Sequence, residues 1–145
     1  LGVRNRARRF LLQARYAADC GGDSVPDCLE SLGLGDRFGP EERLWIRALA
    51  DATDTNRSEI DRRISEVLEN WTLERLSVLT RLVLEQAAAE AVFLSIPAAV
   101  AIDEAIDVSR AFEGDDAAAF VNGVLHRLLV GDLPRRGGSS PDGGS

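Results

Sequence analysis

Ala117-Ala118-Ala119-Phe120-Val121-Asn122-Gly123-Val124-Leu125-His126-Arg127-Leu128 admits two readings, and the choice between them decides the fold class. Asn122-Gly123 between two apolar pairs is the signal of a tight β-hairpin. The flanking strands, however, would be only about two or three residues long, too short to stand alone. Helical spacing is the longer pattern, because Phe120, Val121, Val124, Leu125 and Leu128 share one face. The stretch therefore reads as a helix, with Asp115-Asp116 capping its start. Gly123 inside it costs about 1 kcal/mol relative to Ala, so a closely packed neighbour is expected there.

The same period extends back along the chain. Pro97 opens a helix with Ile102, Ala105 and Ile106 inward, and Gly114 closes it. A longer one from about Leu73 to Leu94 turns Leu76, Leu79, Leu82, Val83, Gln86 and Ala87 inward. Ile60, Ile64, Val67, Leu68 and Trp71 form the stripe before that, after a polar stretch, Asp51 to Ser58, that interrupts the pattern. Pro40-Glu41-Glu42 starts a helix with acids at its positive end; its stripe is Leu44, Trp45, Ala48, Leu49 and Ala52. Ser24-Val25-Pro26-Asp27 carries a capping Ser and a first-turn Pro, and Gly33 and Gly35 end that short helix. The first helix, Arg4 to Asp19, has Ala7, Phe10, Leu11, Ala14 and Ala18 inward and stops at Gly21-Gly22. The expectation is an all-α protein of about seven helices. One domain spans residues 1–132, with sub-bundles meeting near 55–72, and a disordered Gly/Ser/Pro tail follows at 133–145.

At 145 residues, 45% apolar and 28% charged, the chain can bury a real core but not two enzymatic domains. Glu90 and Pro97 interrupt the best apolar run, Ala87 to Ile106, so no membrane span is expected. The Leu-Gly-Val start reads as trimmed, with no signal peptide in view. Two cysteines without a secretory segment point to a reducing cytoplasm.

Net charge is −7, which argues against a nucleic-acid partner until the charges are placed. Residues 1–18 hold Arg4, Arg6, Arg8, Arg9 and Arg15 and no acid. The other twelve arginines share residues 19–145 with all 24 acids, so an arm of +5 precedes a body of −12. Such asymmetry is a mark of nucleic-acid binding. Arginine forks suit phosphates, and Tyr16 could stack on an unpaired base. An ordinary solvated face, paired to acids elsewhere, accounts for the same composition. Both readings stay open on these residues alone.

Catalysis finds few parts. The one histidine, His126, stands near a helix C-terminus, where it complements the helix dipole. No nucleophile elbow surrounds a Ser or Cys, and no glycine-rich loop follows a strand. Cys20 and Cys28 with one distant His fall short of the four ligands of a structural zinc site. No enzymatic activity, metal or cofactor is expected, and both thiols are expected free.

Arg4-Asn5-Arg6-Ala7-Arg8-Arg9-Phe10-Leu11-Leu12-Gln13-Ala14-Arg15-Tyr16 resembles the arginine-rich opening helix of the NusB transcription antitermination factors, which runs into Gln-Ala-Leu-Tyr. Ile96-Pro97 followed by Val100-Ala101-Ile102-Asp103-Glu104-Ala105-Ile106 is similar to the family's Pro, then Val-Ile-Asn-Glu-Ala stretch. Asp116 followed by Phe120-Val121-Asn122-Gly123-Val124-Leu125 is similar to its closing signature, at fitting distance from the first motif. The resemblance covers about residues 4–130 and is weakest from Gly21 to Asn70.

It implies a seven-helix fold of two packed bundles that binds boxA-type single-stranded RNA of ribosomal RNA transcripts. The implied partners are a small-subunit ribosomal protein acting as NusE and the RNA polymerase antitermination complex; a homodimer is also known in the family. Carried over, Arg4, Arg6 and Arg8, with Arg9 beside them, would contact RNA phosphates. Tyr16 would lie at the RNA or partner surface, and Asp116 and Phe120 at the RNA-proximal end of the last helix. Arg15, Thr80 and Glu85 are the expected partner-contact positions.

Departures from the family pattern bear on that surface. Arg15 stands where Leu is usual, Glu85 where Arg is favoured, Ala89 where Tyr precedes Glu90, and Ala119 where a basic residue precedes Phe120. Asp103 replaces the common Asn. Losing one cation and reversing another weakens a phosphate site near the C-terminal half, which Arg9 and Arg15 could offset. Two alternatives follow: the related helical domain of some ribosomal RNA cytosine methyltransferases, and a protein-binding adaptor that has lost RNA affinity.

Overall fold

The computed structural model describes residues 2–131, so the tail expected at 133–145 lies outside the described residues. Between them run eight α-helices and no strand: α1 (Val3–Gly21), α2 (Val25–Ser31), α3 (Leu34–Arg37), α4 (Pro40–Thr55), α5 (Arg57–Val67), α6 (Val78–Phe93), α7 (Ala98–Glu113) and α8 (Asp115–Leu129). The ambiguous closing stretch is helical throughout, and the all-α expectation holds.

Local chemistry explains most of the boundaries. Gly22 ends α1 at φ +85°, its N–H donating to Ala18 O at 3.0 Å, a conformation that favours glycine. Ser24 Oγ accepts from Asp27 N at 3.2 Å at the start of α2. Gly33 (φ +92°) does end that helix, but Gly35 sits inside the extra one-turn α3 rather than closing α2. Asp115 and Asp116 occupy the first turn of α8 instead of capping it, because Gly114 holds the N-cap position. Asp115 instead accepts from Arg110 Nε at 2.9 Å.

Two expected stripes and one expected helix start are corrected. On α4 the inward set is Ile46, Leu49, Ala50 and Thr53, while Leu44 is 71% exposed. The contacts with α1 and α6 set that phase, and the sequence of α4 alone offered a neighbouring one. α5 stops at Val67 because Leu68 turns extended (ψ 135°), which carries Trp71 out of the helix to 50% exposure. The next helix begins at Val78, where Ser77 Oγ caps Thr80 N at 3.1 Å; Leu73–Arg75 form a separate 3₁₀ turn.

α6 is the centre. Every residue from Leu82 to Glu90 is buried, and the helix touches α1 and α4 on one side and α5, α7 and α8 on the other. A helix enclosed on all sides must be apolar nearly all round. Thr80, Glu85, Gln86 and Glu90 are the exceptions, and each has a polar partner. Among the described residues the expected close neighbour of Gly123 is absent: a Cβ there would meet only Arg127 Nη1, at 3.9 Å.

Candidate nucleic-acid interface

Helical phase sorts the five arginines of α1. Residues 6, 9, 13 and 16 recur at intervals of about 3–4 and so share a face. Arg6, Gln13 and Tyr16 on it are exposed and Arg9 is half-buried. Arg6 has no ion pair among the described residues, and its guanidinium lies 5.7 Å from the Phe38 ring centroid. Arg9 Nη2 is 3.4 Å from Asp107 Oδ2. Arg4 lies to the side, 46% exposed, with Nε 3.2 Å from Glu42 Oε1 and its guanidinium stacked 4.2 Å over Trp45.

Arg8 and Arg15 are inside, and this corrects their expected roles at the surface. Arg8 is 4% exposed; its Nε donates to both Glu90 oxygens at 3.0 Å and its Nη2 to Oε1 at 2.7 Å. A two-pronged, buried pair of this kind leaves no donor edge for a phosphate. Burial nonetheless pushes the Glu90 carboxyl above its ordinary range, with Arg8 opposing the shift.

Arg15 is held the same way one face further round. Its Nη2 is 2.6 Å from Glu85 Oε1, and its Nη1 donates to Leu82 O at 2.7 Å. Burial lowers the Arg15 pKa. Glu85 is fully enclosed, and its Oε2 also accepts from Arg57 Nε and Arg81 Nε, each at 3.2 Å. Burial alone would raise the Glu85 pKa, but Asp61 and the three arginines together hold it below the ordinary value. The expected charge reversal at a phosphate site is therefore an internal ion network. Thr80, 7% exposed, donates its hydroxyl to Glu113 Oε1 at 2.6 Å. All three expected partner-contact residues, Arg15, Thr80 and Glu85, thus lie inside because they sit on or against the central helix.

Asp116 and Phe120 belong to a second place. An open depression of about 390 Å³ is lined by residues that include Trp71, Arg75, Thr80, Glu113, Asp116 and Phe120, so it holds two carboxylates and one arginine. Asp116 and Ala119 are exposed and Phe120 is half-buried. Trp71 and Arg75 were not singled out from sequence. The apolar stripe runs in unbroken register from Ile60 to Trp71 in the sequence, so no local signal showed that the helix ends at Val67.

What the residues 5–129 match is the sequence model of the NusB family. The chain belongs to the NusB family. The transcription antitermination protein NusB of Saccharopolyspora erythraea is 36% identical over 138 residues, covering 93% of each chain. That of Oceanobacillus iheyensis is 30% identical over 128 residues, covering 88% of this chain and 98% of its own. Among solved structures, T. maritima NusB superimposes with a TM-score of 0.83 at 32% identity, covering 92% of this chain and 95% of its own. A structure of antitermination factors NusB and NusE in complex with dsRNA matches at a TM-score of 0.79 and 22% identity, over 90% and 100% of the two chains, which supports the NusB fold. Among the described residues no helix is long and apolar enough to cross a membrane.

Proposed function

We propose that this NusB-family chain binds boxA-type single-stranded RNA of ribosomal RNA transcripts as an antitermination factor. It does so together with a small-subunit ribosomal protein in the NusE role, on the RNA polymerase antitermination complex. The observation that carries the reading is the line of Arg6, Arg9, Gln13 and Tyr16 on the open face of α1. It presents cations for phosphates and a ring for a base on an acid-free segment of an otherwise acidic protein. Arg4, at the side of the same helix, extends it; Asp116 and Phe120 form the second contact. The −12 body repels RNA elsewhere, so the ribosomal protein supplies the missing positive charge. Titration of boxA RNA with and without that protein, at one salt concentration, tests this. Tighter binding with the partner is expected, and equal affinity contradicts it.

One observation favours the adaptor reading. Four of the five arginines of α1 already face an acid: Glu42, Glu90, Asp107 and Glu85. The exposed pairs, Arg4–Glu42 and Arg9–Asp107, are weak and exchange readily for phosphate. Absence of any salt-sensitive RNA binding would move the adaptor ahead.

A further inference from the structure

Arg6 has no ion pair among the described residues, whereas the two other surface arginines of α1 are each held by an acid from another helix. Glu42, in the first turn of α4, accepts from Arg4 Nε at 3.2 Å. Asp107, on α7, accepts from Arg9 Nη2 at 3.4 Å. Both acids are kept in place by something besides the arginine. The N-terminus of α4 favours a negative side chain where Glu42 stands, and only 17% of that side chain is exposed. The buried Asn5 donates Nδ2 to Asp107 Oδ2 at 2.9 Å, and to Glu104 Oε1 at the same distance. Arg4 is held a second time by the Trp45 ring, whose centroid lies 4.2 Å from its guanidinium carbon. Of the three positive charges on or beside the open face, two are therefore answered before any ligand arrives.

We propose that Glu42 and Asp107 set the RNA affinity of α1 by occupying, as built-in stand-ins for phosphate, the arginines that an RNA backbone must take. This rests on the RNA-binding reading above and gives two acids of α4 and α7 a part in it. Carboxylate and phosphate oxygens compete for the same guanidinium donors. A strand meets Arg6 first, since no acid has to leave it; Arg4 and Arg9 follow only by exchange. A lone anion at Arg6 gains one contact, whereas a chain of phosphates can go on from there to displace both acids. The displaced carboxylates stay beside the strand, Asp107 tethered by Asn5 and Glu42 by its place on α4, so their repulsion persists in the complex. The acidic body acts on RNA at long range, and these two residues act at contact. Phosphate contact is the part of affinity that carries no sequence information. The two acids therefore lower binding to every RNA by the same factor and leave base readout a larger share of what remains.

The test measures the affinity of the parent chain, Glu42→Gln, Asp107→Asn and the double variant for a boxA-containing RNA and for an oligouridine of equal length, at two salt concentrations. Glu66→Gln is the control. Glu66 is an exposed acid paired with Arg62 of its own helix, so neutralising it makes the same change of net charge without touching an arginine of α1. Each single variant is expected to bind both RNAs about 1.4- to 5-fold more tightly than the parent at low salt, the range of one exposed ion pair. The double variant gains the product, about 2- to 25-fold, and every gain shrinks at the higher salt. Glu66→Gln keeps the parent affinity, and circular dichroism checks that each variant remains helical. If both single variants bind as the parent does, or Glu66→Gln gains as much as they do, the proposal is overturned while the RNA-binding reading stands. A gain confined to the boxA RNA would mean that the acids read bases, and overturns it too. If the parent binds neither RNA and the double variant binds both, the acids are the barrier and the proposal is upheld. If no variant binds RNA, both readings fall.

Discussion

Arg15 Nη2 and Glu85 Oε1 stand 2.6 Å apart with 5% and 0% of their side chains exposed. Each is a departure from the NusB pattern, which has Leu at the first position and Arg favoured at the second. In sequence they are 70 residues apart and read as two separate changes to a surface. In space they are the two ends of one buried bond, which accounts for their occurring together: Arg15 without Glu85 would be an enclosed charge with no ion-pair partner among the described residues.

Breaking that bond from the acid side should be the more damaging change. Glu85→Ala strands Arg15 and also releases Arg57 and Arg81, and is expected to lose about 3–5 kcal/mol of stability. Arg15→Leu should lose less, since Glu85 keeps its other two arginines. Urea denaturation of the two single variants and the double should return a coupling of about 0.5–3 kcal/mol; strict additivity would contradict the compensation.

The same network makes stability depend on pH. Burial and the adjacent Glu85 carboxylate push the Asp61 carboxyl up to about 7, with Arg81 opposing them. Asp61 Oδ1 is buried and receives no donor among the described residues, which fits a carboxyl that keeps its proton. The folded protein therefore holds a proton that the unfolded chain releases near 3.8. Across the window from about pH 4 to 7, folding takes up that proton, so this contribution to stability declines as pH rises and is lost above it. Glu85, held below its ordinary value, works in the opposite sense, and its contribution is lost as pH falls through the acid range. Denaturation of Asp61→Asn at pH 5 and pH 8 should show a smaller decline than the parent; an identical decline would show that Asp61 is ionised throughout.

Inward and outward arginines of α1 should separate cleanly in RNA binding. Arg6→Gln with Arg9→Gln is expected to flatten the plot of log affinity against log salt by about 1.4, at about 0.7 per single-strand contact. The fold should survive, because Gln is nearly as good a helix former as Arg. Arg8→Gln should do the reverse, lowering stability by about 3–5 kcal/mol through the stranded Glu90 while leaving the slope alone. A slope altered by Arg8→Gln in a folded protein would place its guanidinium outside.

Gly123→Ala should be stabilising. The position lies within α8, and a Cβ meets only the end of the Arg127 side chain at an ordinary contact distance. Thermal or urea melts should show a gain of about 0.5–1 kcal/mol. A loss would show that something else approaches that face.

The two thiols should differ in the native state. Cys20 is exposed, whereas Cys28 is 6% exposed and its thiol pKa is raised by burial and by Asp23 and Asp27. A thiol reagent without prior reduction should label Cys20 quickly and Cys28 only on unfolding. Two equally fast thiols would contradict the packing of α2.

What the sequence determined by itself is what depends on near neighbours. Period and stop signals at Gly22, Ser24, Pro40 and Gly114 marked helices, and the fold class followed from the run that closes the chain. The composition of residues 1–18 disclosed the basic arm, and three short motifs carried the family. What only the tertiary structure decided is which way those residues face. α4 offered two adjacent phases, and packing on α1 and α6 chose the one that exposes Leu44. Trp71 continued the apolar pattern of α5, yet the helix ends at Val67 and leaves it at a rim. Helical phase in the sequence sets Arg4, Arg8 and Arg15 along one flank of the α1 stripe and Arg6 and Arg9 on the other, but only the enclosed α6 places a carboxylate opposite Arg8 and another opposite Arg15. A buried charge persists only when its partner is held against it. Those partners, Glu90 and Glu85, lie 82 and 70 residues away along the chain, beyond the reach of any local pattern.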